Sequence, residues 1–259
     1  MIIVQGIPAF EDNYLWAAWS DASPREVCFI DPGDGALLAQ WLVDHDKVLT
    51  TILITHHHAD HVGGVAMLMR EYPQVVVYGP KVDAPKIAAK FESMIGGQRL
   101  TVLGQPVQVI DVPGHTSGHI AWWFEQSNKV FVGDTLFSLG CGRLFEGSAE
   151  TMWASIQKLR NLPDNTLVYC AHEYTASNCA FAQSVDPLNA ELTARAVQIK
   201  SLRARSLPTV PTSIGLEKMT NPFMRADDPA LANNLGLSHG NPADVFAALR
   251  LKKDHFRAA

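Results

Sequence analysis

Short apolar runs alternate with amphipathic stretches along the first two-thirds of the chain. Runs rich in Val, Ile, Leu and aromatic residues, bounded by Gly, Pro, Asp or Asn, predict strands over residues 2–5, 14–18, 27–30, 50–54, 75–78, 107–112, 120–124, 129–132 and 167–170. Apolar residues at helical spacing predict helices over 36–44, 63–71, 81–91 and 149–162. Strands outnumber helices, and several are joined by short turns such as 126–128. That pattern predicts a mixed α/β fold with two sheets and helices outside them, not a regular βαβ repeat.

The texture changes near Asp186. Asp186-Pro187 reads as a helix opening, with Asp capping and Pro at the first position. Leu188, Leu192, Ile199 and Leu202 then repeat at helical spacing. Residues 207–222 contain three prolines and read as a connector, and helices are predicted over 229–235 and 242–256. The chain is thus expected to hold two domains. Pattern alone places their boundary loosely, between about Glu173 and Asp186; divided at 173/174, the chain gives a mixed α/β domain over 1–173 and a small helical one over 174–259.

At 259 residues and 47% apolar content the chain can bury a sizeable core. Its net charge of −5 and pI near 6.0 argue against a nucleic-acid partner. The charge is uneven. Residues 186–259 carry 10 Lys and Arg against 7 Asp and Glu, and the rest carries 11 against 19. The C-terminal part can therefore meet an anionic small molecule. The cysteines, Cys28, Cys141, Cys170 and Cys179, form no C-x-x-C pair and read as reduced thiols, which predicts a cytoplasmic location. No secretory signal or membrane-length apolar run is visible. Membrane association is not expected, and the chain is expected to be a monomer.

The densest chemistry is Thr55-His56-His57-His58-Ala59-Asp60-His61, directly after an apolar, β-branched run. In an extended segment residues two apart point the same way, so His56 and His58 can converge on one ion with His57 turned away. Asp60 and His61 lie one step further and can serve a neighbouring ion. Imidazole and carboxylate suit zinc, iron or manganese. Three more candidates follow strands in the same way: His115 in Pro113-Gly114-His115-Thr116-Ser117-Gly118-His119, Asp134 in Gly133-Asp134-Thr135, and His172 in Cys170-Ala171-His172-Glu173-Tyr174. Such strand ends gather distant residues at one rim of a sheet. Ser117 reads as a turn residue, His119 as a core histidine and His57 as a group bonded to a backbone carbonyl behind the site. Trp122 and Trp123 are expected to face the core and a helix layer. Glu11-Asp12-Asn13-Tyr14 fits a hairpin connection or a turn near the site.

This ligand set resembles the metallo-β-lactamase superfamily, which implies an αββα sandwich with a two-metal site. Cys141-Gly142-Arg143-Leu144-Phe145-Glu146-Gly147, His172-Glu173-Tyr174-Thr175, Asn221-Pro222-Phe223-Met224-Arg225 and Arg250-Leu251-Lys252-Lys253-Asp254 narrow the resemblance to the glyoxalase II family. It implies that His56, His58 and His115 bind one metal, that Asp60, His61 and His172 bind the other, and that Asp134 bridges them. It also implies hydrolysis of S-(2-hydroxyacyl)glutathione thioesters such as S-D-lactoylglutathione by a metal-bridging hydroxide, the second step of methylglyoxal detoxification. Asp60, His61 and Asp134 would serve that hydroxide. The cofactors implied are two divalent ions, zinc first, with iron or manganese as fitting alternatives. Arg143, Phe145, Tyr174, Arg250 and Lys253 are the implied substrate contacts. Relatives carry Lys where Arg143 stands and Tyr where Phe145 stands. Many true β-lactamases have a non-ligand at the His61 position and cysteine at the Asp134 position, so lactam hydrolysis is not expected. The rival reading is a glutathione-persulfide dioxygenase with a single iron.

Overall fold

The structure, a computed structural model, describes residues 1–257. The chain divides into two compact units: Met1–Asp111 with Ser117–Gly133, and Val112–Thr116 with the chain from Asp134 onward.

The first unit opens with β1 (Ile2–Ala9), β2 (Asn13–Ser20) and β3 (Ser23–Ile30), an antiparallel meander. Helix α1 (Gly35–Asp44) leads to β4 (Val48–Leu53), which pairs parallel to β3. The Asp34 side chain accepts from Leu37 N at 3.0 Å and caps the helix start. After the short α2 (Ala59–Val62) and α3 (Val65–Glu71), strands β5 (Val76–Pro80) and β6 (Glu92–Met94) extend the sheet in parallel. The core forms where Leu38, Trp41 and Leu42 of α1 and Val65 and Leu68 of α3 meet Val27, Phe29, Leu49 and Ile52 of the strands. Each such side chain contributes roughly 1.5–3 kcal/mol by leaving water. A second, antiparallel sheet is built from β7 (Arg99–Val102), β8 (Gln105–Asp111), β9 (Ile120–Phe124) and β10 (Lys129–Gly133). Trp122 of β9 is fully buried and donates its indole N–H to Ile54 O, while Trp123 is half-buried.

The second unit begins with the two-residue strands β11 (Leu136–Phe137) and β12 (Gly140–Cys141), which pair antiparallel. Helix α4 (Ala149–Arg160) follows, then β13 (Leu167–Cys170), α5 (Thr175–Val185) and α6 (Ala190–Ala204). Strand β14 (Thr212–Ser213) pairs with β13 and is followed by α7 (Ile214–Thr220), α8 (Pro229–Asn234) and α9 (Pro242–His255). Helix α9 starts on a capping box in which Asn241 and Asp244 satisfy each other's backbone N–H. The fold class is the expected one, α/β with two sheets and a helical C-terminal region.

Three local expectations fail. The stretch 207–222, read as a connector, holds β14 and helix α7. The helix predicted over 81–91 is only a 3-10 turn at Ala84–Lys86. Pro85 lacks an N–H and cannot sit inside an α-helix, and Ile87 joins the sheet core from an extended backbone instead. Asp186 does not open a helix; it closes α5, and its carboxylate is bonded by Arg225 and Asn189. Asn189 is the true cap of α6, accepting from Leu192 N at 3.0 Å.

Candidate metal centre and adjoining cleft

The histidine cluster leaves the C-terminal end of β4. Thr55 and His56 are buried, and His56 Nε2 lies 3.0 Å from His58 Nδ1. His57 points elsewhere, as the period-2 argument requires. Its Nδ1 meets Asp83 Oδ2 at 2.8 Å, so its partner is a carboxylate and not the backbone carbonyl expected. Backbone bonds from Gly63 N to Ala59 O and from Gly64 N to Pro32 O fold the chain after His58 into the short turn that carries Asp60 and His61. Gly33 is needed behind this turn, because a Cβ there would lie 1.9 Å from Asp60 O. His61 Nε2 lies 3.4 Å from Asp60 Oδ2.

Sequence reasoning missed the partners that hold these groups. Asp31 follows β3 directly and is buried. It accepts from Thr55 N and Thr55 Oγ1, both at 2.7 Å, and its Oδ2 sits 2.9 Å from His61 Nδ1. A carboxylate on Nδ1 fixes the imidazole tautomer and turns Nε2 toward a ligand-binding role. Nitrogens of His56 and His61 and an oxygen of Asp31 lie within 4.8 Å of one another. Asn13, in the segment left open between hairpin and site, donates from Nδ2 to Asp60 Oδ2 at 2.9 Å. Asp31 carried a legible signal, since it stands at a strand end like the other candidates. Asn13 carried none beyond its hairpin. His119 is buried, stacks on His56 at 4.6 Å and lies 3.1 Å from Ile120 O.

Three further candidates lie in the second unit. His115 is presented by the turn after β8, where Gly114 has φ 145° and a Cβ on it would lie 2.9 Å from Met152 Cβ of α4. His115 Nδ1 is 2.8 Å from Arg143 O, which again leaves Nε2 facing inward. Asp134 stands at the end of β10 and His172 just past β13. One Asp134 oxygen, Oδ2, lies 3.4 Å from His115 Nε2; the other, Oδ1, lies 3.4 Å from His172 Nε2. A carboxylate aimed at two histidines by different oxygens has the disposition of a bridging ligand.

The donor spacings suit bound metal. Four-coordinate zinc with bonds of about 2.0–2.1 Å places neighbouring ligand atoms about 3.3–3.4 Å apart. The pairs above span 3.0 to 3.4 Å. The donor set, imidazole and carboxylate with carboxylate and carbonyl groups on the outer nitrogens, is that of divalent first-row ions.

A cavity of about 430 Å³ opens from His115 and Asp134 within the second unit. Phe137, Tyr174, Arg143 and Phe145 line it, as do Arg250, Lys253 and Asp254 of α9. Tyr174 stacks parallel on His172 at 4.7 Å, and Phe137 meets both rings edge-on. Phe145 is 61% exposed and touches His115 edge-on. Arg250 is only 6% exposed. It donates to Asp254 Oδ1 from Nε and Nη2, and to Cys141 O from Nη1 at 2.9 Å. Asp254 therefore neutralises Arg250 within the wall. Lys253 Nζ donates to Ser177 Oγ and Ser177 O, and burial pulls its pKa down to about 8. Burial pushes the Cys141 thiol up to about 11, so it is no nucleophile at neutral pH.

The sequence profile of the hydroxyacylglutathione hydrolase C-terminus matches residues 173–256, and that of the metallo-beta-lactamase superfamily matches residues 28–172. Hydroxyacylglutathione hydrolase of Shewanella pealeana is 44% identical over 99% of this chain and all of its own length. That of Ruegeria pomeroyi is 45% identical over 96% of this chain and 97% of its own length. Among solved structures, ETHE1 from Myxococcus xanthus shares the fold at a TM-score of 0.65, with 24% identity, 97% of this chain and 98% of its own covered. TTHA1623, solved in a di-iron-bound form, matches at a TM-score of 0.60 and 25% identity over 85% of this chain and 99% of its own. The chain belongs to the hydroxyacylglutathione hydrolase, or glyoxalase II, family of the metallo-β-lactamase superfamily.

Proposed function

We propose that this protein hydrolyses S-(2-hydroxyacyl)glutathione thioesters, S-D-lactoylglutathione first, to the hydroxy acid and glutathione. One observation carries the reading: a single cavity is lined both by the candidate ligands His115 and Asp134 and by Arg143, Tyr174 and Lys253. Groups that activate water and groups that read carboxylates share one cleft.

His56, His58 and His115 are assigned to one divalent ion, Asp60, His61 and His172 to a second, and Asp134 to both. Zinc fits, as do iron and manganese. Divalent ions held by these residues would lower the pKa of water toward neutrality and supply Lewis acidity. Asp31 and the Arg143 carbonyl hold the tautomers of His61 and His115. Asn13 steadies Asp60, which with His61 and Asp134 keeps the nucleophile directed at the acyl carbon. The carbon–sulfur bond then breaks without a dedicated acid, because the departing thiol has a pKa of about 8.5–9. Residues 174–259 are assigned to the glutathione moiety. Lys253 and Arg143 attract its carboxylates, Arg250 lines the same wall with its charge offset by Asp254, and Tyr174 and Phe145 supply ring surface.

A role in methylglyoxal detoxification, a monomeric state and a cytoplasmic location belong to the same reading. All four cysteines keep their thiols, and no helix of the described residues is long and apolar enough to cross a membrane. The persulfide dioxygenase reading is not favoured, since the C-terminal region matches the hydrolase family.

The test follows loss of thioester absorbance when metal-loaded protein meets S-D-lactoylglutathione, with His58→Ala in parallel. Hydrolysis that vanishes in the variant supports the assignment. A folded, metal-loaded wild type that leaves the thioester intact overturns it.

A further inference from the structure

The α9 wall of the cavity carries three cations but one carboxylate. Arg250, Lys253 and Arg257 stand against Asp254. Asp254 is taken by Arg250 through two hydrogen bonds. Lys253 is tied to Ser177 and lies over the rings of Phe181 and Phe256. Arg257 lies two residues beyond the last helical position, His255, and follows the C-cap Phe256. Its side chain is exposed and folds back onto the helix end. Nη1 donates to Phe256 O at 3.1 Å and reaches Asp254 O at 3.5 Å, and the residue lines the cavity.

That placement answers a physical problem. The end of α9 is the negative pole of the helix, which repels an arriving carboxylate. The substrate proposed above carries a carboxylate at each end of a tripeptide, and three extended residues span about 10 Å. Cations are therefore needed at two separated places. Arg143 stands beside His115, to which its carbonyl is bonded. On the α9 wall Arg250 is already neutralised, which leaves Lys253 and Arg257 to supply net positive charge. Arginine also offers a planar fork, which lysine does not.

We propose that Arg257 is a substrate-binding residue that reads one carboxylate of the glutathione moiety at the C-terminal end of α9. The proposal rests on the thioester-hydrolase reading for its kinetic consequence, but its binding consequence stands apart from turnover. The competing account is that Arg257 only caps the helix end.

The experiment compares wild type, Arg257→Ala and Arg257→Lys. Calorimetry measures the Kd of reduced glutathione, and steady-state kinetics use S-D-lactoylglutathione and S-lactoyl-N-acetylcysteamine, which has no carboxylate. Arg257→Ala is expected to weaken glutathione binding by about tenfold, the factor that about 1.4 kcal/mol represents. KM for the glutathione thioester should rise by a similar factor, with kcat within about twofold and partial recovery in Arg257→Lys. KM for the carboxylate-free thioester and the melting temperature should not move. Unchanged glutathione affinity in Arg257→Ala overturns the proposal, as does an equal rise in KM for both thioesters or a lower melting temperature with unaltered binding. If Arg257→Ala loses glutathione affinity but wild type hydrolyses neither thioester, the hydrolase reading falls and the binding role of Arg257 stands.

Discussion

His61 turns its Nδ1 to Asp31 Oδ2 at 2.9 Å, and both residues are buried. The same carboxylate takes the backbone N–H and hydroxyl of Thr55, one residue before His56. Asp31 thus ties the start of the histidine cluster to its end. Removing it frees the His61 ring to rotate and to exchange tautomers. Asp31→Ala is expected to lower metal affinity or kcat/KM by about 10–100-fold. Metal content after dialysis, read by mass spectrometry beside activity, checks this. Full loading with wild-type turnover would remove Asp31 from the positioning role.

Lys253 sets a pH dependence. Burial depresses its pKa to about 8, so the ammonium is present below pH 8 and lost above it. An anionic substrate should feel that loss as a rising KM between about pH 8 and 9, with kcat less affected. Lys253→Arg keeps its charge across this range and should flatten the profile. KM measured from pH 6.5 to 9.5 in both proteins decides the matter. Parallel profiles would mean that Lys253 does not contact the substrate's charge.

The strands and the ligand-bearing strand ends were legible because period and chemistry coincide there. An apolar, β-branched run stops and a histidine or aspartate follows, as at β4, β10 and β13. Helix α5 was not legible. Its buried face is Thr175, Asn178, Cys179, Phe181, Ala182 and Val185, which is helical in spacing but half small or polar, so hydrophobicity alone misses it. Helix 81–91 failed for the opposite reason, since its apolar spacing was acceptable and one proline outweighed it. The partners of the site escaped because second-layer contacts join distant sequence. Nothing near Asp83 in the chain points to His57, or near Asp254 to the fact that it would neutralise Arg250.

Glu217 is fully buried and organises the hairpin that separates Asp134 from Arg143. Its Oε1 pairs with Arg195 and accepts from Thr212, and its Oε2 accepts from Leu139 N and Asn221 Nδ2. Glu217→Ala strands the Arg195 guanidinium, itself buried, among four lost hydrogen bonds. Breaking one partner of a buried pair costs about 3–5 kcal/mol. Urea unfolding should show a midpoint lowered accordingly. A shift below 1 kcal/mol would mean that water replaces the carboxylate.

Gly142 places as sharp a steric demand on the site as Gly33 does. A Cβ there would lie 1.9 Å from Asp134 O and 3.0 Å from His115 Nδ1. Neither neighbour can yield cheaply. Asp134 O is backbone, and His115 Nδ1 is held by Arg143 O, one residue beyond Gly142. The backbone bond from Gly142 N to Thr135 O, at 3.3 Å, closes the same loop. Gly142→Ala therefore pushes apart the two residues that share the Asp134–His115 contact, by something like the ångström a methyl group needs. Misplacement of that size costs about a hundredfold in rate, while overpacking of one methyl costs about 1–3 kcal/mol of stability. The variant is expected to fold and to lose kcat/KM far beyond its loss of melting temperature. Activity within twofold of wild type would show that the Asp134 loop shifts freely, and would detach the close packing at Gly142 from the function of the centre.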